Sequence, residues 1–157
     1  MAVIRPYTAD DVAWITGQQA AMTRLHEDYD PSFYAPSADA FTEFSQYIIS
    51  KMDDQDFRIL VAEEEGVRAG YCMGWLTTRP PIYAKRRVGY ISHINVDSQC
   101  RGRGIASQLI AAMQSLFTGV GVDFIEIHVD AENSAALRLV ESLGFAARWT
   151  ALHKEAH

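Results

Sequence analysis

The segment Gln99-Cys100-Arg101-Gly102-Arg103-Gly104-Ile105-Ala106-Ser107 constrains this chain more than any other. A β-type run, Val88–Val96, precedes it, and an apolar-periodic helix over about 103–117 follows it. A helix N-terminus presents backbone N–H groups with no intrahelical partner, and its dipole favours anions. Gly102 and Gly104 clear side chains from that end, so a phosphate can approach the backbone. Arg101 and Arg103 add charge for phosphate oxygens, and Ser107 adds a hydroxyl. The segment reads as a pyrophosphate site. A Walker loop is excluded because no Gly-Lys-Ser/Thr ending is present. A dinucleotide fingerprint fails as well: Asp97–Arg101 separate strand from glycine, and Ser107 stands at the third glycine position.

The rest of the chain supplies a frame for that loop. Its 157 residues suit a single domain, 1–157, with one substantial core. No run approaches the roughly 18 apolar residues of a membrane span. No signal peptide is read at the N-terminus. Cys72 and Cys100 have neither disulfide-framework nor metal-site spacing, so no metal is expected, and reduced thiols suit a cytoplasmic protein. The net charge of −6 argues against nucleic-acid binding and is compatible with a cationic substrate.

Alternation marks residues 2–7 as a strand. Thr8 then caps a helix to about residue 26, with Val12, Ile15, Gln19 and Met22 on one face. The proline-bounded stretch 27–36 reads as a loop. Ser37 or Asp39 caps a second helix carrying Phe41, Phe44, Ile48 and Met52. Strands 57–62 and 67–76 flank a Glu-Glu-Glu-Gly66 turn. Thr77–Arg87 is a loop. In the helix after Gly104, Ile105, Leu109, Ala112 and Leu116 are the expected buried stripe. A strand at 124–129, a helix at 133–142 and a last strand at 144–153 complete the chain. The expected class is α/β, a mixed sheet with helices on both faces.

Gln99-Cys-Arg-Gly102-Arg-Gly104 resembles the acyl-CoA-binding motif of the GNAT acetyltransferases, the family related to the histone N-acetyltransferase Gcn5. Upstream, Ile91-Ser-His-Ile94-Asn-Val96-Asp resembles the family's fourth strand. Downstream, Ile125–Val129 and Asn133 through Gly144-Phe145 resemble its fifth strand, the next helix and its Gly-Phe ending. The opening Ile-Arg-Pro-Tyr-Thr-Ala-Asp-Asp is also similar, so the resemblance covers nearly the whole chain.

The resemblance implies a central sheet splayed between strands four and five. Acetyl-CoA would lie in the gap, its arm along Ile94, Asn95 and Val96 and its pyrophosphate over Arg101, Gly102, Arg103, Gly104, Ile105, Ala106 and Ser107. Asn133 matches an asparagine near the cofactor arm, or serves as a helix N-cap. The implied reaction is direct attack of a primary amine, of a small molecule or a protein, on the thioester. A base must deprotonate the amine, and a fourth-strand N–H would stabilise the oxyanion.

The chain departs from the family at Val140, where many members carry a tyrosine acid. Tyr83, Tyr90, Cys100 and His128 are substitutes by residue type. His93 and His128 are the candidate bases. Strand alternation sets Glu126 and His128 on one face. The acceptor pocket is expected from Tyr29, Phe33 and Tyr34 after the first helix, with Tyr83 before the fourth strand. Two other readings stand: an acyl-CoA-binding sensor without turnover, and a weaker one, an NAD(P) or ATP binder. The resemblance also implies a possible homodimer, with Trp149 in the last strand as interface or sheet edge.

Overall fold

The computed structural model describes residues 1–156. Strand β1 (Val3–Pro6) leads through a single tight turn to helix α1 (Val12–Glu27) and helix α2 (Ala40–Ser50). Strands β2 (Phe57–Glu64), β3 (Val67–Thr78) and β4 (Arg87–Val96) follow, then helix α3 (Ile105–Gly119), strand β5 (Phe124–Ile127) and helix α4 (Ser134–Ser142). The sheet order is β1-β2-β3-β4-β5. The first three pairings are antiparallel, and β4 with β5 is parallel. The mixed sheet with helices on both faces is the expected class.

Alternation divides the sheet residues between two cores. Leu60, Cys72 and Ile91 pack under α3 and Val140 of α4. Ile59, Val61, Tyr71 and Met73 pack under Val12 and Ile15 of α1 and Ile48 of α2. The buried stripe of α3 is Ile105, Leu109, Ile110, Met113 and Phe117. The expected Leu116 is instead 41% exposed. The helix is rotated because Phe117 seats against the backbone of two strands. A methyl group at Gly89 would stand 2.4 Å from the Phe117 ring, and one at Gly74 would stand 3.1 Å from it. Glycine is required there for close approach.

The expected last strand does not form. Residues 145–156 carry no strand ladder, and Trp149 and Leu152 are 58% and 91% exposed. α4 closes with the Phe145 N–H on the Val140 carbonyl at 3.1 Å.

One buried carboxylate ties the N-terminal turn to the sheet. Asp11 is fully buried and bonded to Arg5 at 2.7 Å and to Arg68 at 2.7 Å. It also accepts the Thr8 N–H at 2.8 Å, which caps the turn. The Arg5 guanidinium, with Arg68 and the Thr8 N–H, holds the Asp11 carboxyl well below the usual carboxylate range. We expect Asp11→Asn to destabilise the fold by about 3 kcal/mol in urea unfolding, because two guanidinium groups lose their charge partner. The depressed folded-state pKa gives the sign of the pH effect. The contribution is complete above the unfolded value of about 3.9 and is lost as pH falls through the folded one. The variant should therefore lose the wild type's steep stability decline below about pH 4. An acid-unfolding curve unchanged by the substitution would refute this.

Candidate active site

The cleft begins where β5 leaves β4. The two strands pair over only four positions, from Val88↔Phe124 to Ile91↔Ile127. The next residue, Ser92, is an extra residue in the β3–β4 ladder: Met73 pairs with His93 while Gly74 pairs with Ile91. Such a bulge bends its strand and increases the local twist. Past it, the outer edge of β4 from Ser92 to Val96 has no strand alongside among the described residues. Its N–H and C=O groups are available to an extended ligand. The expected splay between strands four and five is therefore present, opened at Ser92.

The glycine loop closes the wide end of that gap. Asp97 caps a short turn, Ser98–Cys100, by accepting the Gln99 N–H. Gly102 and Gly104 have φ of 77° and 75°, and Gly104 is the N-cap of α3. This left-handed geometry favours glycine and turns the chain so that the first N–H groups of α3 point outward. The N–H groups of residues 104–107 donate to no acceptor among the described residues. An anion would complete them.

The flanking side chains are partly committed elsewhere. Arg101 Nε donates to the Val96 carbonyl at 3.3 Å, at the mouth of the cleft. Arg103 pairs with Glu64 at 2.9 Å on the β2–β3 hairpin. Both arginines are exposed, so this pair is weak and exchangeable. The Asn95 side chain donates to the Gln18 carbonyl and to Gln18 Oε1, each at 3.0 Å, and so braces β4 against α1. Ile94 and Val96 pack toward α3. Asn133 caps α4 by accepting the Ala136 N–H at 3.1 Å. Val140 is a core residue and brings no hydroxyl.

The two candidate histidines have opposite surroundings. His93 lies near Phe44, ring centroids 6.3 Å apart, with Nδ1 at 2.8 Å from Ser92 Oγ. Burial, with His26 nearby, brings its pKa down to about 4, so it is a neutral and weak base. His128 is exposed, just beyond the last β4–β5 pair. Its Nε2 lies 2.7 Å from Glu126 Oε1 and its Nδ1 3.2 Å from the Tyr90 hydroxyl. A carboxylate only accepts, so Nε2–H donates to Glu126, and Nδ1 accepts the Tyr90 O–H. Burial, and then Glu126, push the Tyr90 pKa up, which keeps the phenol protonated.

This Glu126–His128–Tyr90 chain sits at the apex of the splay. Only its members were visible beforehand. Glu126 and His128 share a face by alternation, but Tyr90 enters through the pairing Tyr90↔Glu126, which is a matter of register.

Of the residues expected in an acceptor pocket, three gather. Tyr29 and Tyr34 pack on His26 at 5.5 and 5.0 Å, and Phe33 packs on Tyr34 at 4.9 Å. The Tyr34 hydroxyl donates to Asp130 Oδ2 at 2.6 Å, which ties the α1–α2 loop to the segment after β5. Burial, then Asp130, push its pKa up to about 12. Tyr83 does not join them. It lies in the β3–β4 loop under the Arg79 guanidinium at 3.9 Å, at the opposite end of β4 from the glycine loop.

The sequence model of the Acetyltransferase (GNAT) family matches residues 21–145. This chain belongs to the GNAT family. The GNAT match takes in both the bulged β4 and the glycine loop. A mycothiol acetyltransferase of Thermobispora bispora is 36% identical over 86 residues, which is 53% of this chain and 29% of that protein. This chain spans less than half the length of the curated relatives it matches. A mutant of the BH1408 protein of Bacillus halodurans has the same fold, with a TM-score of 0.87, 23% identity and 99% of each chain covered. A predicted acetyltransferase of Clostridium acetobutylicum, solved with acetyl-CoA, superposes with a TM-score of 0.74 at 19% identity, covering 98% of this chain and 96% of that one. No helix among the described residues is long and apolar enough to cross a membrane.

Proposed function

We propose that this GNAT chain is an acetyl-CoA-dependent N-acetyltransferase acting on a primary amine. One observation carries the reading: the unpaired outer edge of β4 runs straight into the loop whose N–H groups, at residues 104–107, have no acceptor among the described residues. The residues fit the donor. The N–H groups with Arg101 and Arg103 suit a pyrophosphate, and residues 94–96 offer backbone pairing to an amide-bearing arm. Asn133 lies at the start of α4, beyond β5 on the other side of the gap.

In the reaction, the amine nitrogen bonds to the acetyl carbon and the carbon–sulfur bond breaks. The thiolate leaves with the electron pair and takes up a proton. His128 accepts the amine proton through the Tyr90 hydroxyl, while Glu126 holds the imidazolium that results. The exposed edge of β4 presents N–H groups to the carbonyl oxygen as it gains charge.

Thiol release from acetyl-CoA with a panel of amines tests the activity. A specific observation also favours a sensor: Val140 fills the place of a proton donor with a core methyl cluster. Coenzyme A binding without turnover on any amine would decide for the sensor. Gly104→Val tests the donor site. We expect coenzyme A affinity to fall at least about tenfold by calorimetry, because the valine strains the left-handed residue and crowds the N–H cradle. Unchanged affinity would exclude the loop as the site.

A further inference from the structure

A row of direct cross-strand partners crosses the sheet on the face opposite α3. Phe57 pairs with Trp75, Trp75 with Tyr90, and Tyr90 with Glu126. The rings touch in sequence: Phe57–Trp75 stacked at 6.2 Å, Trp75–Tyr90 edge-on at 5.0 Å, and Tyr90–His128 at 4.8 Å. Trp149 covers the far side of His128 at 5.0 Å and is 58% exposed. Toward β2 the row opens into a cleft of about 460 Å³ lined by Tyr47, Lys51, Asp54, Asp56, Phe57 and Trp75, among others.

The two ends of this row have the same chemistry. At β5, a carboxylate (Glu126) stands beside aromatic faces. At β2, Asp54 and Asp56 stand beside Tyr47 and Trp75. Lys51 neutralises Asp54 at 3.0 Å. Asp56 is exposed and has no ion-pair partner among the described residues, while the nearby Arg58 guanidinium is held on the Asp54 and Phe57 carbonyls. Aromatic faces attract cations, and a carboxylate at each end adds to that attraction. Glu126 and the cleft are three strands apart, roughly 14 Å at the usual strand spacing.

We infer that the acceptor is an elongated polycation that lies along the Trp75–Tyr90 row, with its reacting amine at His128 and a second positive charge over the Trp75–Asp56 cleft. The inference rests on the amine-acetylation reading and names its substrate class. It also moves the distal subsite away from Tyr83, to a place set by register rather than by loop sequence.

Spermidine, a linear polycation, and nonylamine, a monocation of the same chain length, separate the outcomes. The expected KM for spermidine is about tenfold below that for nonylamine, a difference of about 1.4 kcal/mol. Asp56→Asn should raise the spermidine KM about tenfold and leave the nonylamine KM and both kcat values unchanged. Turnover with equal KM for both amines, or an equal shift in Asp56→Asn, overturns the inference and leaves the acetyltransferase reading standing. Calorimetric binding of spermidine to the coenzyme A complex gives an independent arm. Binding weakened by Asp56→Asn, with no turnover of spermidine or of any amine in the panel, supports the subsite and overturns the acetyltransferase reading. Binding indifferent to Asp56→Asn overturns the subsite.

Discussion

Replacing His128 with alanine should lower kcat about 100- to 1000-fold while coenzyme A affinity stays within about twofold. The reason lies in geometry and solvation together. His128 is exposed at the apex of the β4–β5 splay, and Glu126 fixes its Nε2–H at 2.7 Å. In the proposed reaction its Nδ1 is therefore the proton-accepting atom. Tyr90→Phe should lower kcat in the same direction by a smaller factor, since it removes the relay hydroxyl and keeps the base. His93→Ala is the control. That imidazole, with a pKa brought down to about 4 by burial, is neutral across the working range and a poor acceptor. Its loss should leave the log kcat–pH profile in place. A collapse of kcat in His93→Ala with His128→Ala nearly unaffected would reverse the assignment.

Gly89→Ala should destabilise the fold by about 3 kcal/mol, lowering the Tm by roughly 6–12 °C. The added methyl would stand 2.4 Å from the Phe117 ring, in the middle of a sheet that cannot retreat. Strand β4 is held on one side by β3 and on the other by β5 at this very residue, through Leu76↔Gly89 and Gly89↔Ile125. The clash must be relieved by moving α3 outward, which also carries away its N-terminal N–H groups. Coenzyme A affinity should weaken along with stability. Trimming the ring with Phe117→Leu in the same chain should recover part of the loss, as expected for two groups in direct conflict. Additive losses in the double variant would show that Gly89 matters for another reason.

These two expectations differ in how far the sequence announced them. The glycine loop was legible because its meaning is local. Strand, left-handed glycine and helix N-terminus are neighbours in the chain, and their backbone geometry follows from residue type. The hairpin around Gly66 and the helices were legible for the same reason. The stripe of α3 was misplaced by one position because periodicity describes a helix alone. The helix on its sheet rotates to seat Phe117 over Gly74 and Gly89. The last strand was misjudged because strand-like composition says nothing of burial, and residues such as Trp149 and Leu152 stay exposed.

The choice between the histidines belongs to the same class. As residue types, His93 and His128 were equal. Packing distinguishes them: the Phe44 side buries one, and the other lies beyond the point where β5 ends. Glu126 was set only on the face of His128, and Trp75 drew no functional expectation, since their partnership through Tyr90 exists only once β2, β3, β4 and β5 are in register.

The sequence by itself determined the local chemistry of the phosphate cradle, the class of the fold and the family, because each is written in short spacings along one segment. Only the tertiary structure decided where β4 opens, which histidine faces the opening, and which aromatic side chains line the way to it. The physical reason is that a strand's outer edge and face acquire meaning from the strand beside them. The bulge at Ser92 and the end of β5 at Ile127 are relations between strands, and no single segment contains them.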